Sequence, residues 1–240
     1  MCSCAVAFEE EHTQAIALET TALRATALGV HWWRTDAVTA QDHTLLSAHE
    51  RQCAARMRVP GAAGRYVAAH AGLRRHLASY LGVRASELRF CVAEGGKPYL
   101  PDAPHLHFNL SHSGAWALLV CSTEHAVGVD VEALVEPQRL SPALLHQSLC
   151  PRERAQLHAL PEAQRSAHFT RWWTAKEAVM KLCGLGLQLP PTAIEVMARG
   201  EAVWQATVAS PWQQTLGRDT PLRALHAPAG YVATLAVPAL

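Results

Sequence analysis

The sequence predicts an α+β protein built from two similar, pseudo-symmetric subdomains. Each is expected to be a small, mainly antiparallel sheet packed on one long helix, with the active site between them. Two observations lead there. Helical patterns are followed by a run of short strand patterns in the first half of the chain, and the same order returns in the second half. Segregated elements of this kind argue for α+β architecture, whereas regular alternation would argue for a parallel sheet. The expected boundaries are a variable leader at residues 1–27, one subdomain at 28–124 and the other at 125–240. No residue-level repeat relates the halves, so their symmetry is expected in structure alone.

The elements follow in order. GVHWWRTD (29–36) reads as a strand and LLSAHERQCAARMR (45–58) as one helix, broken by VPGAAG. RYVAAHAGLRRHLASYLG is a strong amphipathic helix. Tyr66, Ala69, Leu73, Leu77 and Leu81 recur at spacings of three and four, and Gly82 supplies the stop. ELRFCVA, HLHFNLS, AWALLVCS and AVGVDVEAL are rich in β-branched and aromatic residues, with GGKP and SHSG as turns. Beyond Pro137 come SPALLHQSL, then PRERAQLHAL with Pro151 at a helix start, then a long helix from about Glu162 to Cys183, stopped by Gly184 and Gly186. AIEVMA, EAVWQATV, PLRALHA and YVATLAV close the chain as strands.

Composition narrows the function classes. The 240 residues are half apolar, ample for a packed core, and the net charge of +1 offers no electrostatic footprint for nucleic acid. Seven cysteines lack any C-x-x-C pair and read as free thiols of a cytoplasmic protein. MCSCAVAFEEEHTQ has no basic region before its glutamates, so it is not a secretory signal, and no apolar run is long enough to span a bilayer. The chain is expected to be monomeric, with neither nucleic acid nor membrane as partner.

Two segments concentrate chemistry. In VGVDVE, Asp130 and Glu132 fall on one strand face, opposite Val127, Val129 and Val131. In FTRWWTAKEAVMKLCGLGL, Glu177 and Lys181 are i,i+4 neighbours on a helix. Thr170, Thr174, Glu177 and Lys181 form a polar stripe opposite the apolar Phe169, Trp172, Trp173, Val179 and Met180. Three carboxylates and an ammonium at one locus suit a hard cation that handles a phosphate. The blander reading is a half-exposed strand beside an ordinary amphipathic helix. Lysine is otherwise avoided: Lys97, Lys176 and Lys181 are the only three, against eighteen arginines among the 21 basic residues. A compact ammonium is the usual point-charge partner of phosphate. NLSHSG reads as a tight polar turn, either an anion nest or a plain hairpin, and EGGKPY as another turn.

The order GKP, NLSHS, GVDVE, WTAKEAVMKLCGLGL resembles the motif set of the phosphopantetheinyl transferases, in their long single-chain, surfactin-synthetase-activating type. The resemblance runs from about Arg51 to Pro190 and is strongest from Lys97 to Leu187. It implies transfer of 4′-phosphopantetheine from coenzyme A to a serine of an apo acyl or peptidyl carrier protein, releasing adenosine 3′,5′-bisphosphate. It further implies Mg²⁺ on Asp130, Glu132 and Glu177, with Glu177 as base for the serine hydroxyl. Lys181 matches the lysine at the pyrophosphate, and Ser111 and His112 the phosphate-contacting pair; Glu177, Lys181 and His112 would be the catalytic residues. Gly96, Lys97 and Pro98 match the loop beside adenine and ribose. Arg51, Arg56 and Arg65 lie in the segment that grips the 3′-phosphate, and Glu153 falls where many members carry another glutamate. Two rival readings are another Mg²⁺-dependent phosphotransfer enzyme and a non-catalytic carrier-binding module on the same scaffold.

Overall fold

The computed structural model describes residues 28–200, 202–213 and 219–239. The expected leader at 1–27, and Glu201 at the head of one expected strand, lie outside the described residues.

The first unit is a three-stranded antiparallel sheet in the order β1 (Leu28–Arg34), β5 (Trp116–Ser122), β4 (His107–Ser113). Its long helix, α3 (Ala62–Leu81), lays Leu73, Leu77 and Ala78 on Phe108, Leu119 and Cys121 of the strands. Gly82, left-handed at φ 66°, caps α3 with its N–H on the Ala78 carbonyl. The second unit is a five-stranded antiparallel sheet in the order β6 (Gly128–Ala133), β10 (Tyr231–Ala236), β9 (Asp219–Leu225), β8 (Val203–Val208), β7 (Ile194–Ala198). On it packs α6 (Glu162–Cys183), whose Ala175, Ala178, Val179 and Leu182 meet Ile194, Val208, Leu222 and Ala236. The chain passes from one sheet to the other between Ser122 and Gly128.

A third cluster joins the two units. Trp32, Leu118 and Val120 of the first sheet bury with Val129, Val131, Ala233 and Leu235 of the second. The junction is also hydrogen-bonded, through side chains. Asn109, Ser111 and Ser113, two residues apart on β4, accept the backbone N–H groups of Val129, Val131 and Ala133 at 2.8, 3.2 and 3.2 Å. Alternate β4 side chains thus replace a backbone ladder along β6 and leave its buried donors satisfied.

Four local expectations change. The helix expected at 45–58 is shorter, α2 (Ala48–Ala55), and a separate, unexpected α1 (Ala40–Leu45) precedes it, because Thr39–Asp42 and Ser47–Glu50 each close a capping box that starts a helix. ELRFCVA yields only the two-residue β2 (Cys91–Val92), paired with β3 (Pro98–Tyr99). NLSHS is not a turn but the body of β4; Gly114, at φ 54°, makes the turn. The polar stripe of α6 is not a water face: Thr170 and Thr174 are fully buried, and Thr174 Oγ1 meets Thr234 Oγ1 of β10 at 3.1 Å. The other two helices are α4 (Pro142–Ser148) and α5 (Pro151–Ala159).

Two glycines permit close approaches that place the site. A Cβ on Gly128 would stand 2.1 Å from the Ala178 carbonyl oxygen, so β6 rests directly on the α6 backbone. A Cβ on Gly95 would stand 1.5 Å from the Gly184 carbonyl oxygen, which seats the β2–β3 turn on the end of α6.

Candidate active site

The site forms where β4, β6 and α6 meet. Asp130 sits on β6 at 2 % exposure, and its Oδ1 accepts from Ser111 Oγ at 2.7 Å and from Lys181 Nζ at 2.6 Å. Lys181 also donates to Ser111 Oγ at 2.9 Å. Three elements therefore lock three side chains around one carboxylate oxygen. The other oxygen, Asp130 Oδ2, is buried and has no hydrogen-bond partner. Such an atom is costly to leave unmet in a folded protein. Glu132, two residues along the same face, accepts from Ser113 Oγ at 2.7 Å.

Glu177 lies one helical turn before Lys181. Burial raises its carboxyl to about 7, and the negative charges of Asp130 and Glu132 push in the same direction against Lys181. Burial raises Glu132 as well, again with Asp130 adding to the effect. Asp130 is raised by burial and held back by Lys181 and Ser111. Three carboxylates that repel one another need a positive partner. Unmet acidic charge, hard oxygen donors and the orphaned Asp130 Oδ2 fit a divalent cation such as Mg²⁺. As the side chains stand, no group of three His, Cys, Asp or Glu residues among the described residues is placed to hold a metal ion; Lys181 and Ser111 occupy Asp130 Oδ1, and Ser113 holds Glu132.

The remaining candidates separate into two groups. His112, the residue after Ser111 on β4, points to the opposite face of the strand and is exposed. The crowding of protein around its ring lowers it to about 4, and His70, Lys181 and Arg65 add positive field. Of the three candidate arginines, Arg65 is the one that contributes to this field. The Arg51 guanidinium instead donates to the Leu46 carbonyl, and the Arg56 backbone N–H caps the end of α2. The Lys97 ammonium reaches across the junction to the carbonyls of Val127 at 2.8 Å and Leu182 at 3.2 Å, and burial lowers it to about 8. Gly96, at φ 90°, turns the chain so that Lys97 and Pro98 line an apolar cavity of about 330 Å³ with Tyr99, Phe108 and Leu182.

Glu153 and Lys176 lie elsewhere. They form a buried ion pair at 2.6 Å between α5 and α6, at 1 % and 0 % exposure. Lys176 also donates to the carbonyls of Ser148 and Pro191, and Glu153 accepts the N–H groups of Cys150 and Val196. Each charge is fully engaged by structure. Sequence reasoning missed a second network, in which Glu50 takes a bidentate contact from buried Arg74 and a 3.2 Å contact from His70. The Ser47–Glu50 capping box was its visible trace.

Comparison with known proteins shows the family. The model of the 4′-phosphopantetheinyl transferase superfamily matches residues 126–236, which contain β6 and α6. The chain is 36 % identical over 166 residues to the 4′-phosphopantetheinyl transferase HetI of Nostoc sp., covering 66 % of this chain and 70 % of HetI. It is 32 % identical over 130 residues to a Bacillus subtilis 4′-phosphopantetheinyl transferase, covering 54 % of this chain and 56 % of the relative. Against the Bacillus subtilis 4′-phosphopantetheinyl transferase Sfp it is 32 % identical over 111 residues, covering 46 % and 48 %. The chain thus spans about half the length of these Bacillus relatives. It belongs to the 4′-phosphopantetheinyl transferase superfamily and is an enzyme of that class. No helix among the described residues is long and apolar enough to cross a membrane.

Proposed function

We propose that this enzyme transfers 4′-phosphopantetheine from coenzyme A to a serine hydroxyl of an apo acyl or peptidyl carrier protein, and that Mg²⁺ is required. The observation that supports it most is the orphaned, buried Asp130 Oδ2 beside Glu132 and Glu177, opposite the ammonium of Lys181. Bound at Asp130, Glu132 and Glu177, Mg²⁺ would neutralise charge on the coenzyme A pyrophosphate.

The protein's own groups account for the rest. Glu177 accepts the proton of the carrier serine as its oxygen attacks the phosphorus that bears pantetheine. The new serine O–P bond forms as the P–O bond to the adenosine phosphate breaks, and adenosine 3′,5′-bisphosphate leaves. Lys181 offsets the charge that develops on the departing oxygen. Ser111 fixes both Lys181 and Asp130, so the cation and the anion keep their places before substrate arrives. Phosphoryl chemistry of this kind depends on positioning and charge more than on covalent assistance. His112 and Arg65 take the nucleotide phosphates, and the cavity beside Lys97 and Pro98 takes the adenine ring. Arg51 and Arg56, from the same segment as Arg65, are the further candidates for the 3′-phosphate. The enzyme works in the cytoplasm as a monomer.

Intact-mass measurement of apo carrier proteins tests the reading. Incubation with coenzyme A and Mg²⁺ should add one phosphopantetheinyl group to the carrier serine and release the bisphosphate. Consumption of coenzyme A with no change in carrier mass would instead identify a different phosphotransfer enzyme.

A further inference from the structure

A second cavity lies not at the carboxylates but on the other side of α6, where α5, α6 and the edge strand β7 diverge. Its volume is about 500 Å³, within the range of small-molecule sites. Two indoles form its walls, Trp172 of α6 and Trp204 of β8; each packs on the core beneath it and keeps a partly exposed face. Three guanidinium groups rim it, those of Arg152, Arg171 and Arg199, against the single carboxylate of Glu195. That concentration of positive charge exceeds the net +1 of the entire chain.

The rim is also held in place. Arg152 pairs with Glu195 at 3.0 Å, and Arg199 Nε donates to Gln205 Oε1 at 2.6 Å. Arg171 has no side-chain hydrogen bond or ion pair among the described residues and stands exposed. Flat π surfaces beside a surplus of guanidinium donors suit an anion with a planar apolar body, because the rings bury the body and the fork of an arginine takes a carboxylate in two hydrogen bonds. Trp172 precedes Lys181 by nine residues, about two and a half helical turns, so the cavity and Lys181 lie on opposite sides of the same helix.

We propose that this cavity is a second ligand site, separate from the carboxylate site, for a small aryl carboxylate. The proposal does not depend on the transfer reaction.

Naphthalene-2-carboxylate is the probe, with 2-naphthol as its neutral counterpart. The full chain is labelled with 5-fluorotryptophan, and the seven tryptophan resonances are assigned by Trp→Phe variants. The carboxylate should shift the Trp172 and Trp204 signals saturably, with a Kd below about 1 mM. The shift should persist under saturating coenzyme A, and 2-naphthol and the exposed-residue variant Arg171→Gln should each weaken binding about tenfold. Displacement of the probe by coenzyme A overturns the proposal. So do binding of equal strength by 2-naphthol, binding of equal strength in Arg171→Gln, and the absence of saturable shifts at Trp172 and Trp204.

Discussion

Lys176→Met decides whether Glu153 belongs to the fold or to the reaction. In the parent, the Lys176 ammonium spends its three donors on Glu153, Ser148 and Pro191, at 2.6, 3.0 and 2.9 Å. Glu153 in turn joins the start of α5, through Cys150, to the edge strand β7, through Val196. Methionine fills much of the same volume but leaves the carboxylate in the core without its counter-charge. Removing one member of a buried pair costs about 3–5 kcal/mol. For a chain of this size that lowers Tm by roughly 10 °C. Glu153→Gln should lose a similar amount, since it strands the ammonium instead. The double variant Glu153→Gln/Lys176→Met should lose clearly less than the two single losses together, because it strands no charge. Guanidinium denaturation measures all three. Carrier modification is then followed at a temperature where each variant is folded, and the rate per folded molecule should match the parent. If the single variants unfold like the parent yet fail to modify carrier, Glu153 acts in the reaction and the structural assignment is wrong.

The other predictions concern the site and its frame. Glu177→Gln and Lys181→Ala should each lower the initial rate of carrier modification by about 10²–10³. Glu177→Gln should melt close to the parent, whereas Lys181→Ala should also melt lower because it strands the buried Asp130 carboxylate; near-parental rates in both would remove α6 from the chemistry. Gly128→Ala should destabilise the protein by about 1–3 kcal/mol, since its new methyl meets the α6 backbone at 2.1 Å, and a parental denaturation midpoint would contradict the close approach. Burial alone would raise Glu50, but bonds from His70, Arg74 and Ser47 hold it at about 2, below its usual 4.5. The unfolded chain therefore takes up the extra proton first as pH falls. The Glu50 contribution is whole above pH 4.5 and drains away toward pH 2. Glu50→Gln should flatten stability against pH in that window by about 2 kcal/mol after solvent screening, and equal slopes for variant and parent would refute the linkage.

The sequence was most legible where one spacing rule governs a long stretch. The three-and-four pattern of α3 and its glycine stop match the helix at Ala62–Leu81. The alternation of VGVDVE matches β6, with Val127, Val129 and Val131 fully buried. It was least legible where a cap or a neighbour decides. LLSAHE reads as continuous helix until Ser47 and Glu50 are recognised as a capping box. ELRFCVA carries strand-forming residues, but only Cys91 and Val92 find a partner strand, while Leu88 and Phe90 are drawn into the core around α3. Propensity yields in both places to tertiary demand.

The site shows the same division for a different reason. Spacing alone puts Asp130 with Glu132, and Glu177 with Lys181, but it cannot say that the two pairs meet. That depends on Gly128, which brings β6 onto α6, and on the Asn109, Ser111, Ser113 series, which ties β4 to β6. Ser111 consequently has two duties, bonding the Val131 N–H of the frame and both Asp130 and Lys181 of the site. The same logic explains why one stretch of α6 is so dense in signal. Its Thr174 and Lys181 face the sheet junction, Lys176 faces α4, α5 and Pro191, and Trp172 faces the arginine-rimmed cavity. A helix bordering three different environments has few positions left for generic surface residues. The WWTAKEAVMK segment is therefore distinctive because nearly every residue answers to a different neighbour, only some of which belong to the reaction.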